Sequence, residues 1–570
     1  MARISPHSSI PFILSRPEVG ARRIEFNSNP VLEEVEIIER DMEQYGGDSP
    51  KDPLPRSLAS SSSSLSLKLP SGGLVKDLDL VSWDGADDPD NPQNWSNRYK
   101  WMMTMLVIVM TINVSFASSA PSTTSQALVK HFHITAETSY LVTTVFLLGY
   151  VFGPLFWGPG SELVGRRPIF IITMTLYTVS HLGQALAPNI QTLLVTRFFS
   201  GFFAVAPLSN CGGVLSDMFS AEGRGLAMSL IAAGIFMGPV LGPLVSGFIL
   251  GSGVPWQWVF WVMMIFAGVC TVITIIFLPE TYAPVILLRK AKRLRKADPI
   301  GNAHVYAEHE KQDWSFYGIV KRTLFRPFIM LAMEPILVLI TIYMSIVYGL
   351  LYALFEAFPI IYIERRGFSL EQDGLIFIGV GIGTTLGSLL NAYLSGKYKE
   401  LIRKWRGFPP PEERLIGAMF GAVAFVIGIF WLGWTGEYKA IPWYVPGLST
   451  IFLGFGISLI FMSFLSYVVD TYLMYSASAF AANTFIRSAA AAAFPLFIVQ
   501  MFSKLHINWS ATLIGLVAVL FAPCPFLFYK YGPWIRQKSR FAPCIDLRIA
   551  KEIEAEERAV RENAQKIAQV

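Results

Sequence analysis

An all-α polytopic membrane protein, with twelve transmembrane helices in two pseudo-symmetric six-helix bundles, is the fold class this sequence predicts, and three observations predict it. About twelve apolar stretches lie between Trp101 and Tyr531, each near the ~20 residues a helix needs to cross a bilayer. Hydrophobic residues make up 53% and charged residues only 15% of the 570, and the mean hydropathy is +0.46, too apolar for a soluble enzyme of this size. The stretches also fall into two sets of six separated by a polar gap. Because lipid offers the backbone no hydrogen-bond partners, each stretch must be a self-satisfied helix, and function is to be read from the few polar residues among them.

Residues 1–96 precede the first stretch. Their Ser60–Ser64 run, scattered prolines and acidic patches bury too little apolar surface to fold, which predicts a disordered cytoplasmic tail. The apolar run Ile10–Leu14 is too short for a signal-peptide core, so the first span is expected to act as the insertion signal. The N-terminal bundle, 97–280, is expected to hold spans near 101–120, 138–157, 168–187, 192–215, 225–250 and 258–278. A cytoplasmic central loop, 281–327, carries the basic run Arg289, Lys290, Lys292, Arg293, Arg295 and Lys296, which reads as a solvated or headgroup-touching segment. The C-terminal bundle, 328–533, holds spans near 330–358, 373–395, 414–434, 444–469, 479–503 and 510–531, and a cytoplasmic tail follows at 534–570 with a polar helix over 551–569. Lys and Arg concentrate in alternate loops, and the positive-inside rule then puts both termini in the cytosol.

Several function classes are excluded by what the chain carries. The net charge of +5 is distributed by side of membrane rather than gathered into a patch, so nucleic acid is not an expected partner. Cys211, Cys270 and Cys524 lie inside apolar stretches and Cys544 in the tail, a spacing that suggests neither disulfides nor a metal site. At Gly396-Lys397 the position five before the Gly is Asn391 and the next residue is Tyr398, so a phosphate-binding loop is absent and no cofactor is expected.

The chemistry-bearing residues come in order along the chain. Asn113 in the first span is a polar candidate for a cavity lining. The turn after the second span reads Gly158-Pro-Gly-Ser-Glu162-Leu-Val-Gly165-Arg166-Arg167, with glycines for a tight turn and opposite charges that can make and break pairs. With Asp217 at the end of the fourth span, Glu162, Arg166 and Arg167 can form a charge cluster that holds one conformation shut. Asp217 has a counterpart in Asp470 at the end of the tenth span, each two residues before an aromatic, which suggests repeated halves. Arg197 places a guanidinium within the apolar fourth span; it either snorkels to the outer headgroups or serves the mechanism.

The fifth span steps through Gly234, Gly238, Gly242 and Gly247, with Pro239 and Pro243 between them, a small-residue stripe that lets another helix approach. Gly379, Gly383 and Gly387 form a matching stripe in the eighth span, and the two are expected to cross between the halves. Glu356 near the outer end of the seventh span is either a proton-binding carboxylate or an interfacial one in water. Arg487 in the eleventh span either faces the bundle interior or pairs with Asp470. Tyr343, Tyr352 and Asn483 complete the candidate cavity lining. Asn508-Trp509-Ser510 is a formal glycosylation sequon close to the membrane.

Over residues 90–535 these motifs resemble the major facilitator superfamily, whose signature between spans two and three has this Gly, acidic, Gly, Arg, basic pattern. Gly160 departs from it where a leucine-like residue is usual, as does Glu162 where Asp prevails. Leu193-x-x-x-Arg197-x-x-Ser200-Gly201 looks like the fourth-span motif associated with proton coupling, with Ser200 in place of the usual glutamine. The fifth-span stripe resembles the motif of proton antiporters that export drugs. Asn91-Pro92-Gln93-Asn94-Trp95, Pro279-Glu280-Thr281-Tyr282, Phe355-Glu356-Ala357-Phe358-Pro359, Pro411-Glu412-Glu413-Arg414 and Asp470-Thr471-Tyr472 are similar to fungal twelve-span drug:proton antiporters. The resemblance implies the major facilitator fold and a monomeric plasma-membrane antiporter. It would export amphipathic organic compounds such as drugs, secondary metabolites, toxins or polyamines in exchange for protons. Uptake by proton symport, and a transport-dead nutrient receptor, are the rival expectations.

Overall fold

The computed structural model describes residues 79–219, 221–311, 315, 318 and 324–568; the predicted tail up to residue 78 lies outside the described residues. Among the described residues the two halves are built from α1 (Asn97–Ser119), α2 (Ala136–Val164), α3 (Arg166–Ala185), α4 (Ile190–Met218), α5 (Ala221–Gly251) and α6 (Gln257–Phe277), then α7 (Pro335–Phe358), α8 (Leu370–Lys404), α9 (Ile416–Glu437), α10 (Tyr444–Tyr472), α11 (Ser476–Phe521) and α12 (Cys524–Arg536). Polar caps start several of them: Ser96 accepts from the Tyr99 N–H, Thr135 from Thr138, Asn189 from Thr192, and Ser369 forms a capping box with Gln372.

Among the described residues, ten segments are long and apolar enough to cross a membrane. α3 is left out because Arg166, Arg167, Ser180, His181 and Gln184 dilute its apolarity. α11 and α12 count as one segment, although His506, at φ 60° and ψ 167°, breaks α11 into two arms. The twelve spans the sequence predicts would be reached only by counting α3 and by separating the two arms of α11, the second running on toward α12. Glu437 fixes the break from α9, accepting the Ile507 N–H at 2.8 Å while pairing with Arg365.

Within the first half α1 packs on α5, α2 on α4, and α3 on α4 and α6; within the second, α7 packs on α11, and α10 on α8 and α9. The halves meet along two seams, α5 against α8 and α2 against α11. One end of the assembly, where α1 begins, is called the near end below, and the opposite one the far end.

Two segments assigned to solvent by composition are instead docked. Residues 79–96 lie against the central loop: Val81 packs with Ala291 and Ala307, its N–H donates to the Tyr306 carbonyl at 2.9 Å, and Lys290 Nζ reaches Asp84 at 2.7 Å. The order comes from Asp88, which accepts the Asp84 and Asp90 N–H groups at 2.9 Å each and ties the loop into a knot. Those backbone N–H groups hold the Asp88 carboxyl below its usual pKa. The basic run forms a helix, Ala283–Ala297, whose Arg289, Lys290 and Arg295 pair with Glu280, Asp84 and Glu310. The C-terminal polar helix spans Ile545–Ala568, anchored at its start by Asp546 on the buried Arg536, with exposed pairs from Arg406 to Glu552 and Glu556 further along.

Candidate functional site

Arg197 stands about 10 Å in from the start of α4 at the ~1.5 Å rise of an α-helix, and it is fully buried. It does not snorkel. Nε donates to the Val142 carbonyl of α2 at 3.1 Å and Nη1 to the Ala117 carbonyl of α1 at 3.0 Å, while the guanidinium lies over the Phe146 ring at 4.2 Å. Nη2 has no hydrogen-bond partner. Placing such a charge at membrane depth costs on the order of 2.5–3.5 kcal/mol, and two carbonyls and a ring offset part of it. α2 and α4 come close enough for this because of glycines: a Cβ on Gly201 would stand 2.0 Å from the Phe146 carbonyl oxygen, and one on Gly149 2.4 Å from the Phe202 nitrogen. Gly149-x-x-x-Gly153 was visible in the sequence as a small-residue pair and marks this crossing.

A second constellation occupies the seam between the halves. Tyr352 of α7 shares a 2.9 Å hydrogen bond with Ser118 of α1, and its hydroxyl lies 3.4 Å from that of Tyr348. Tyr348 and Phe461 of α10 flank the guanidinium of Arg487 at 4.8 and 4.9 Å. Phe461 in turn meets Phe236 of α5 edge-on at 5.4 Å. Arg487 therefore faces the interior and does not pair with Asp470. Glu356, one helical turn beyond Tyr352, is 7% exposed, so it is not an interfacial carboxylate in water. Sequence reasoning missed Tyr348, Phe461 and Ser118, since an aromatic or a serine in a membrane helix carries no signal of which neighbour it meets.

Other predicted residues lie elsewhere. Tyr343 stacks on Phe521 and meets Phe464 inside the second half, and Asn483 donates to Thr341 Oγ1 at 3.3 Å in the same interior, so neither lines the seam. Both pack where α7 buries its face against α10 and α11. Asn113 is buried with neither side-chain polar atom hydrogen-bonded. Asn508 is 7% exposed within the second arm of α11, where its backbone carbonyl accepts from Thr512; the sequon is helical and buried rather than a loop acceptor.

The glycine stripes also correct the expectation. Cβ atoms on Gly238 and Gly242 would strike Ser115 and Ser119 of α1, and Gly234 faces Ile108 of the same helix. Those on Gly379, Gly383 and Gly387 would strike Thr450, Ile451 and Ser458 of α10. Gly234, Gly238 and Gly242, and the whole α8 stripe, thus pack inside their own halves. α5 and α8 do cross, but through Gly247 against Leu370, Gly374 against Pro243 and Gly381 against Val240. Pro239 and Pro243 sit inside a continuous α5.

At the near end the predicted charge cluster has a different acid. Arg166 Nε reaches Asp217 at 3.4 Å and Nη1 donates to Ser161 Oγ at 2.5 Å, with the guanidinium over the Tyr282 ring. Glu280, from the segment after α6, accepts the Arg166 N–H at 2.8 Å, and Thr281 donates to Asp217. Glu162, half-buried at the end of α2, stands outside this cluster because the turn at Gly165, with φ at 109°, leads the chain away; a Cβ there would meet Glu280. Arg167 reaches the Ile275 carbonyl. In the second half Arg414 pairs with Asp470 at 2.8 Å and lies over Tyr398, whose hydroxyl also donates to Asp470.

Comparison with known proteins agrees with this architecture. The chain is 42% identical to the MFS-type efflux pump MFS2 of Trichophyton rubrum, over 85% of this chain and 81% of that one. It is 40% identical to the citrinin biosynthesis cluster MFS transporter mrr1 of Monascus ruber, over 82% and 93%, and 39% identical to the multidrug transporter mdrA of Aspergillus fumigatus, over 82% and 77%. Its fold is similar to that of the xylose transporter XylE from E. coli, with a TM-score of 0.54 at 18% identity over 76% and 99% of the two chains. The family model of the Major Facilitator Superfamily matches residues 105–495. With two helical halves meeting along a seam and its own buried arginine, the chain belongs to the Major Facilitator Superfamily.

Proposed function

We propose that the protein is a proton-coupled antiporter that exports amphipathic organic compounds across the plasma membrane, with the near end and both termini in the cytosol. The observation that carries the coupling half of this reading is Arg197, a permanent charge bridging α1, α2 and α4 with one nitrogen unpaired. Movement of α1 against α2 and α4 must break or remake its two carbonyl bonds, so protonation at the far-end carboxylate Glu356 and rearrangement at Arg197 can be linked through the Tyr352–Ser118 bond. Support for export comes from relatives named as an efflux pump, a multidrug transporter and a citrinin biosynthesis cluster transporter. The carried compound and the proton are the proposed partners within the bilayer, a monomer the working unit, and the proton gradient the energy source in place of a cofactor.

The test uses secretory or plasma-membrane vesicles with an imposed pH difference. Export against a substrate gradient should need the pH difference, Arg197→Lys should uncouple it at normal abundance, and Glu356→Gln should flatten its pH profile. Solute movement indifferent to imposed acidity would reject proton coupling, and accumulation driven inward would replace export by uptake.

A further inference from the structure

The two mid-membrane arginines are held in different ways. Arg197 spends its donors on backbone carbonyls. Arg487 makes no hydrogen bond to any described residue: Nε is buried without a partner, and its only neighbours of note are the faces of Tyr348 and Phe461. The residue is 6% exposed. A guanidinium has five donors and no way to shed its charge, so one left this way in an apolar seam is waiting for an acceptor.

The surroundings say what kind of acceptor. Among the described residues no carboxylate lies at this depth: Asp217 and Asp470 are at the near ends of α4 and α10 and are paired with Arg166 and Arg414, and Glu356 is two turns further along α7 than Tyr348. The local charge is therefore positive. Around it, Tyr348, Phe461 and Phe236 provide aromatic surface contributed by both halves, and the Tyr348, Tyr352 and Ser118 hydroxyls run in a line from the guanidinium toward the first half. Aromatic walls, a planar fork of donors and a line of hydroxyls match a flat aromatic body carrying a carboxylate or an acidic phenol.

We infer that Arg487 anchors an organic-anion subsite at the seam, and that the compounds carried are aromatic acids in preference to amines. The subsite rests on the export reading for direction alone; binding does not depend on it. Because it touches α1, α5, α7, α10 and α11 through its neighbours, an occupant there would bridge the halves.

The experiment compares 1-naphthoate, 1-naphthamide and 1-naphthylmethylammonium as probes of the purified full chain, by displacement of intrinsic tryptophan fluorescence. The wild type should bind the carboxylate at least tenfold more tightly than the other two. Arg487→Gln should lose that preference while amide binding stays within twofold. Arg487→Lys, which keeps the charge but not the fork, should retain a reduced preference, and it carries the test if the glutamine variant does not fold. A wild type that prefers the amine or the amide, or a lysine or glutamine variant with the wild-type preference, would overturn the subsite. Failure of export in vesicles with the carboxylate preference intact would overturn the direction of transport and leave the subsite standing.

Discussion

The near ends of the two halves carry related charge clusters built to different strengths. In the first half the Arg166 guanidinium meets one carboxylate at 3.4 Å, its remaining anchors are a serine hydroxyl, a ring face and its own backbone N–H on Glu280, and Glu280 pairs in turn with the half-exposed Arg289. The second half has the equivalent pair, Arg414–Asp470, at 2.8 Å and adds a second, fully buried arginine. Arg536 is clamped by both oxygens of Glu412 at 2.8 and 3.0 Å and both of Asp546 at 2.9 and 2.7 Å. Bidentate geometry on two acids fixes α12, the start of α9 and the C-terminal helix as one body. The second half is thus the more rigid frame, while the first ends in a looser latch, one long ion pair with several weaker contacts around Arg166.

That contrast can be broken by substitution. The largest effect should come from Arg536→Met, which leaves Glu412 and Asp546 buried without their cation; breaking such a group costs about 3–5 kcal/mol, read as a fall in melting temperature of the purified chain. Arg166→Ala should cost less stability, about 1.5–3 kcal/mol for hydrogen bonds to charged groups, and transport should fall at least tenfold if the cluster holds one conformation shut as we propose. If the two variants melt alike, or if Arg166→Ala transports normally, the distinction between frame and latch fails. The smallest effect should come from Arg406→Ala: its pairs with Glu552 and Glu556 are solvent-exposed, and no measurable change in melting temperature or transport is expected. A clear loss there would mean that the C-terminal helix, rather than Arg536, holds the second half together.

Much of this was legible in the chain. The spans follow from apolar run length, the near-end placement of Asp217 and Asp470 from their positions at the ends of apolar stretches, and the need of Arg197 for partners from the expense of a charge in hydrocarbon. Partners were less legible. Composition marked residues 79–96 as tail, but Asp88 satisfies two backbone N–H groups and Lys290 adds an ion pair, a local knot that average hydropathy does not register. Glycine spacing showed that α5 and α8 would cross, but not that most of each stripe would pack on α1 or α10 and leave the crossing to Gly247, Gly374 and Gly381.

The sequence by itself determined which residues enter the membrane and at what depth, because a helix rises a constant distance per residue and lipid tolerates little else. Tertiary structure decided who meets whom. It gave Glu280 rather than Glu162 to the Arg166 cluster, turned Tyr343 and Asn483 into the second half, and left Arg487 between two rings without an acid. The physical reason is that a helix presents a side chain at every 100° or so, and only the packing of neighbouring helices selects the face that is buried, paired or open to a ligand.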